Sequence, residues 1–355
     1  MALSDPQITR VVAATPATIA EAAALIRAGE LVAFPTETVY GLGANALDSA
    51  ALARIFAAKG RPTTDPLIVH VADAAQLDAI VTHMPPLAER LIAAFWPGAL
   101  TLILTRRSHV PASVSAGLPT VAVRMPAHPV ALALIRAAGL PIAAPSANRF
   151  AHTSPTTAQH VYDDLAGRLT LILDGGATNI GVESTIVDVS GAHPQVLRPG
   201  GVSLEALRQI APDIEITRRY IKAIEANGEA LPAPGMLLKH YAPRIPLYLF
   251  EGSDTAVRAM IRKTALNLIA QEQRVGLLIA TDDVPALADL SASQVQLGTL
   301  ADLESVARAL FAGLRELDDQ PIDVILVRTF PPIGLGLAIN DRLLRAAEGK
   351  VTHCE

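Results

Sequence analysis

The chain has 355 residues, 51% hydrophobic and 18% charged, with a formal net charge of −5 and one cysteine, Cys354. That length favours two domains, and the composition supplies ample apolar material for their cores. No apolar run approaches the roughly 20 residues of a membrane span, a lone cysteine excludes a disulfide framework and speaks against a catalytic thiol, and the negative balance gives no global attraction to nucleic acid.

The N-terminal stretch MALSDPQITR lacks an apolar signal core, so a cytosolic protein is expected. Thr15-Pro16 reads as the cap and first residue of a helix that runs to about residue 28 and that Gly29 ends. A short strand over 31–34 leads into a polar, glycine-punctuated turn over 35–43, with hydroxyls at Thr36, Thr38 and Tyr40. A helix from about Asp48 closes at Lys59-Gly60-Arg61-Pro62, because Gly60 suits a left-handed exit and Pro62 cannot continue a helix. Further strands are expected over 67–71, 100–104, 121–123, 142–144, 169–173, 185–189 and 196–197, with helices over 48–58, 74–80, 86–95, 128–138, 155–166 and 203–210. Strands bounded by Pro and Gly, with only some helical crossovers, predict a mixed α/β sheet in a first domain of residues 1–210.

Residues 211–246 form a looser segment with prolines at 232, 234, 243 and 246, read as a linker. Met236, Leu237, Leu238 and Tyr241 are too apolar for a purely solvated tether, so the linker is expected to pack on something. Regular alternation resumes after it: strand 247–250, helix 254–270, strand 275–279, helix 301–317, strand 324–327 and helix 336–347. This predicts a small Rossmann-like α/β layer domain over 247–355, without a nucleotide fingerprint and suited to scaffolding or docking.

Chemistry is narrowed first by what is missing. The sequence has no GxxxxGK[ST], HExxH or GxSxG motif, and its nine histidines show no metal-ligand spacing. Gly41-Leu42-Gly43-Ala44-Asn45-Ala46 satisfies a loose dinucleotide pattern, but PTETVY separates it from the strand that a fingerprint must follow. What remains are polar islands near strand ends: Thr36 to Tyr40 with Lys59 and Arg61, Arg124, Ser146-Ala147-Asn148 with Ser154, Glu183-Ser184-Thr185, and Arg198-Pro199-Gly200-Gly201. Each alone is also an ordinary feature, such as a cationic helix end or a capping turn, and Tyr40 and His70 read more readily as core or half-core residues than as ligands. Together, four strand-associated cations with small hydroxyls and no matching cluster of acids suit phosphate and carboxylate recognition, in a crevice outside the strand ends.

The tracts FPTETVYGLGANA, KGRPTTDPLIVHV, FWPGALTLIL, VAVRMP, APSANRFAHTSPT, GGATNIGVESTIVDV and VLRPGG resemble, in order and spacing, the threonylcarbamoyl-adenylate synthase family and its YrdC-like catalytic domain, over about residues 15–210. APGMLLKHYAP and GLGLAINDRLLRAA resemble the linker and closing tract of the two-domain branch. The resemblance implies an α/β fold: a mixed twisted-sheet catalytic domain plus a smaller Rossmann-like C-terminal domain. It also implies a nucleotidyltransferase that makes threonylcarbamoyl-AMP and pyrophosphate from L-threonine, bicarbonate or CO2 and ATP. The product would reach N6-threonylcarbamoyladenosine in tRNA indirectly, through a downstream transferase, with Mg²⁺ delivered on ATP.

By the same resemblance, Lys59 and Arg61 form one ATP-contacting pair and Ser146 and Asn148 another. Thr36, His70, Arg124 and Ser184 fall on threonine-handling positions. Thr120, Ser154 and Arg198 fall on nucleotide-contacting positions, and Tyr241 would approach the nucleotide from the linker. Leu237 and Leu238 depart from the family, which carries a more polar, basic tract there. Two other readings stand beside this one: a carbamoyl-transfer maturation enzyme, whose cysteine-rich zinc module this chain lacks, and a non-catalytic RNA-binding protein, against which 4% aromatics and net negative charge argue.

Overall fold

Capping chemistry sets the first helix boundaries. Strand β1 (Arg10–Ala13) is followed by α1 (Pro16–Arg27), where Thr15 and Thr18 cap each other reciprocally and Pro16 holds the first helical position. After β2 (Val32–Phe34) and β3 (Gly41–Asn45), the Asp48 carboxylate accepts the amides of Ala50 and Ala51 and opens α2 (Ser49–Lys59). Gly60, at φ +65°, ends that helix and turns the chain out. The structure is a computed structural model, and it describes residues 8–217, 230–234, 236 and 241–355. The Leu237 and Leu238 departures lie outside the described residues.

The chain divides into two compact units. The first comprises Met1–Phe150, Ser154–Asn179 and Glu183–Met236; the second comprises Ala151–Thr153, Ile180–Val182 and Leu237–Glu355. The first unit continues with β4 (Ile68–His70), α3 (Ala74–Ile80), α4 (Pro86–Phe95), β5 (Leu100–Thr105), β6 (Thr120–Arg124), α5 (Pro129–Ala138) and β7 (Ile142–Ala143). It closes with α6 (Ala158–Leu165), β8 (Leu171–Asp174), β9 (Thr185–Asp188), β10 (Gln195–Arg198), α7 (Leu204–Ile210) and β11 (Glu215–Ile216). Its strands form one mixed sheet in the order β1-β8-β2-β3-β7-β4-β6-β5-β9-β10-β11. The sheet runs beyond residue 210, since β11 pairs in parallel with β10.

Where a turn was expected, β3 is a central strand between β2 and β7. The glycines make this possible: a Cβ on Gly43 would come within 2.7 Å of the Phe34 ring and 3.0 Å of Ile142. The loose dinucleotide pattern is therefore a buried strand.

Strand alternation splits the sheet into two faces. Val69, Leu100, Leu102, Leu104, Val121, Val123 and Val187 join the main core, which α2, α3, α4, α6 and α7 cover with residues such as Ile55, Ile80, Leu91, Val161 and Leu207. On the opposite face, α1 and α5 cover the β8-β2 half through Ile26, Leu134 and Ile135 packed on Val32, Phe34, Leu171 and Leu173. Among the described residues, the other half of that face carries a small cluster of Ile68, Ile103, Ala122, Ile186 and Leu197, joined by Ala233 and Met236. Of the linker, Ala233 and Met236 thus pack on this half, which no helix among the described residues covers. Leu231 is anchored as its amide donates to the Thr64 carbonyl at 2.9 Å.

In the second unit, β12 (Leu247–Gly252), α8 (Asp254–Ala270), β13 (Val275–Ile279), α9 (Val284–Leu287), β14 (Ser293–Gln296), α10 (Leu303–Asp318), β15 (Val324–Arg328), α11 (Gly336–Ala346) and β16 (Val351–Cys354) form a layered α/β domain. All strands are parallel, in the order β14-β13-β15-β12-β16. The expected alternation is present, with β14 and β16 added at the edges; half-exposed SQVQ and VTHC carry too few apolar residues to announce themselves. Among the described residues, no helix is long and apolar enough to cross a membrane.

Candidate active site

His70 and Arg124 close β4 and β6 and Ser184 immediately precedes β9, on the half-face that no helix among the described residues covers. In the tract TVAVR, Val121 and Val123 point into the core, so alternation turns Thr120, Ala122 and Arg124 to the other side. The same rule puts His70 beside Ile68, Thr101 beside Ile103 and Ser184 beside Ile186.

Lys59 organises one end. Its Nζ donates to the carbonyl oxygens of Ser146 and Asn148, 2.5 Å from each, and its own carbonyl accepts the Phe150 amide. The Ser146-Ala147-Asn148 turn is fixed in turn by Tyr40, whose carbonyl accepts the Ala147 amide. Burial pushes the Lys59 pKa well below its ordinary value, helped by the charge of Arg61 and opposed by Asp164, Asp65 and Glu183. Arg61 forms a buried ion pair with Asp65, Nη2 to Oδ1 at 2.8 Å, and also donates to the Asp65 and Pro66 carbonyls. Ser154 donates to Glu183 Oε1.

Arg124 organises the other end. Its Nε donates to the Gly98 carbonyl at 3.0 Å, Nη1 to Thr38 Oγ1 at 2.9 Å and Nη2 to Glu37 Oε1 at 2.6 Å. Thr36 and Thr38 share a hydroxyl contact of 2.8 Å. Burial alone would raise the Glu37 pKa, but the charge and hydrogen bond of Arg124, with the nearby amides of Glu37 and Ala127, hold it below its ordinary value. His70 lies within the fields of both: burial, then the Arg124 charge, drive its pKa down to about 3, so the ring is neutral near pH 7. Its Nδ1 and Glu37 Oε2 are buried with no hydrogen-bond partner among the described residues.

Between these ends, Thr101 and Ser184 share a hydroxyl contact of 2.7 Å. Arg198 donates to the Ser184 carbonyl and hydroxyl and to the Pro234 carbonyl of the linker. The RPGG turn needs its glycine, because a Cβ at Gly200 would sit 2.3 Å from the Glu183 carbonyl oxygen.

Lys59, Arg61, Ser146, Asn148 and Ser154 are therefore gathered at one end, Thr36, His70 and Arg124 at the other, with Ser184 and Arg198 between. Thr120, half-exposed, stands on the face of Arg124 at the far end of β6. Tyr241 belongs to the second unit, where it stacks on Phe311 at 5.7 Å beneath the Arg342 guanidinium, 5.0 Å from its ring. The expectation of no matching acids is overturned, since Asp65 and Glu37 form buried ion pairs with Arg61 and Arg124. Buried cations need counter-charge. Glu37 sits between two threonines and Asp65 in a turn-like PTTDP tract, so neither reads as part of a cluster in sequence. Among the described residues, no group of three or more His, Cys, Asp or Glu side chains is placed to hold a metal ion.

Residues 24–200 match the family model described as telomere recombination, and residues 202–348 match that of the threonylcarbamoyl-AMP synthase C-terminal domain. The chain is 47% identical over 335 residues to the threonylcarbamoyl-AMP synthase of Bacillus subtilis, covering 94% of both. It is 44% identical over 331 residues to that of Pyrococcus abyssi, covering 92% of this chain and 93% of the relative. The crystal structure of P. abyssi Sua5 complexed with L-threonine is similar to it with a TM-score of 0.90 at 42% identity, over 98% of this chain and 99% of that one.

Proposed function

The chain belongs to the threonylcarbamoyl-AMP synthase family, and from that premise we propose that it joins L-threonine, bicarbonate (or CO2) and ATP into threonylcarbamoyl-AMP, releasing pyrophosphate. The observation that carries this reading is the pairing of two buried cationic centres, Lys59 beside the Ser146–Asn148 turn and Arg124 beside Thr36 and Thr38.

The threonine ammonium releases a proton to solvent, the resulting amine adds to CO2 with loss of a second proton to solvent to give a carbamate, and a carbamate oxygen displaces pyrophosphate at the α-phosphorus. Neither step requires a protein nucleophile. The protein must hold two anions together and offset the charge that develops between them. Lys59 and Arg61 face the phosphates, with Ser146, Asn148, Ser154, Thr120 and Arg198 orienting the nucleotide. Arg124 is a planar fork suited to the threonine carboxylate, with Thr36, His70 and Ser184 around the rest of the amino acid. Mg²⁺ arrives on the ATP phosphates as part of the substrate. Ala233 and Met236, packed on the same half-face, support a linker that keeps water from the mixed anhydride. The product serves tRNA threonylcarbamoylation through a separate transferase.

The test incubates the protein with ATP, Mg²⁺, L-threonine and labelled bicarbonate, and follows label by mass spectrometry. Label in a threonylcarbamoyl-AMP adduct is expected, lost in Lys59→Ala; turnover independent of threonine overturns the reading.

A further inference from the structure

Glu37 is the acid that the sequence did not mark as functional, and its two oxygens have different surroundings. Oε1 accepts Arg124 Nη2 at 2.6 Å, whereas Oε2 is buried and, with the Glu37 and Ala127 amides near the carboxylate, meets no donor at hydrogen-bonding geometry among the described residues. Leaving a buried carboxylate oxygen unpaired is costly, so such an atom beside Arg124, Thr38 and His70 marks where a ligand donor belongs. Arg124 is the complement. Of its five N–H groups, three are engaged by Gly98, Thr38 and Glu37, which among the described residues leaves one hydrogen on each Nη for an incoming acceptor. A spare pair of guanidinium hydrogens next to a spare carboxylate oxygen presents plus and minus side by side. An α-amino acid zwitterion presents the reverse pair on neighbouring atoms.

We infer that Glu37 is a substrate-binding and specificity residue: its Oε2 takes the α-ammonium of the amino acid while its Oε1 fixes the guanidinium that takes the α-carboxylate. This rests on L-threonine being the substrate. His70, adjacent and neutral, adds a second unpartnered acceptor or donor, Nδ1, at the same place. The site would thereby discriminate amino acids from hydroxy acids and simple carboxylates of the same shape. It would also hold the amine at a known point before carboxylation.

The test measures binding by calorimetry, without bicarbonate, for L-threonine and for 3-hydroxybutanoate, which is threonine without its amine. In the wild type, threonine should bind on the order of 100-fold more tightly, the range expected for one charge-assisted hydrogen bond pair. Glu37→Gln keeps an acceptor for Arg124 but removes the charge. It should shrink the gap to below about 10-fold while leaving ATP affinity unchanged, and Glu37→Asp should restore part of it. An unchanged gap in Glu37→Gln would mean that Oε2 meets only water and overturns the inference. Equal binding of the two ligands by the wild type overturns it without any variant. Failure of the wild type to bind threonine at all overturns instead the substrate assignment beneath it.

Discussion

The Arg198 guanidinium donates twice to the carbonyl oxygen of Ser184, from Nη2 at 2.9 Å and from Nε at 3.2 Å, while Nη1 reaches the Pro234 carbonyl at 3.4 Å. One buried side chain thus ties a site loop to the linker. A lysine is a point charge and cannot make this fork. Arg198→Lys should therefore cost about 2–4 kcal/mol in chemical denaturation, from the buried charge-assisted bonds it loses, and lower pyrophosphate release. Wild-type stability and turnover in that variant would show the fork to be dispensable.

Met236 packs with Ala233 on Ile68, Ile103, Ala122, Ile186 and Leu197. Truncating a side chain this buried typically costs about 2–4 kcal/mol, and here the cost falls on the linker segment. Met236→Ala should raise the ratio of ATP hydrolysed to threonylcarbamoyl-AMP formed, measured in a single assay of ADP, AMP, pyrophosphate and adduct. A ratio equal to that of the wild type would count against water exclusion by the linker.

Lys59 is held well below its ordinary pKa, first by burial and then by Arg61. An incoming polyphosphate stabilises the ammonium and raises that pKa, so ATP binding should take up protons under alkaline conditions. Titration calorimetry at pH 8.5 in two buffers of different ionisation enthalpy reads this directly. Uptake should disappear in Lys59→Arg, whose side chain is always charged. Absence of uptake in the wild type would place the Lys59 charge outside this linkage.

His70 titrates near pH 3 in the fold, against an ordinary value of 6.5. Protonation therefore favours the unfolded chain. The group's contribution is complete above pH 6.5 and is lost as pH falls from there towards 3, at up to about 1.4 kcal/mol per pH unit. Between pH 7 and pH 5 the wild type should lose about 2 kcal/mol from this residue, and His70→Gln should lose correspondingly less in urea unfolding. Parallel curves for the two proteins would remove His70 from the acid response.

Helix limits were legible because their causes are local. Thr15-Pro16 and Asp48 cap, Gly60 and Pro62 terminate, and the structure follows each. The apolar strands were legible by run length, and the tracts around Lys59, Arg124 and Ser146 carry the family resemblance. Strand β3 was not legible, because its glycines mimic a turn and only the Phe34 ring against Gly43 reveals why they are needed. The edge strands β14 and β16 carry too little apolar pattern to be seen.

Sequence by itself determined the residue types of the site and their order along the chain, since a motif needs only local spacing. Only the tertiary structure decided that His70, Thr101, Arg124 and Ser184 share one sheet face, because among the described residues the helices cover the other strand faces and not that of β4-β6-β5-β9. It also decided the partners of the cations. A guanidinium removed from water must find an acid wherever the chain supplies one, and for Arg124 that acid is Glu37, 87 residues away in sequence.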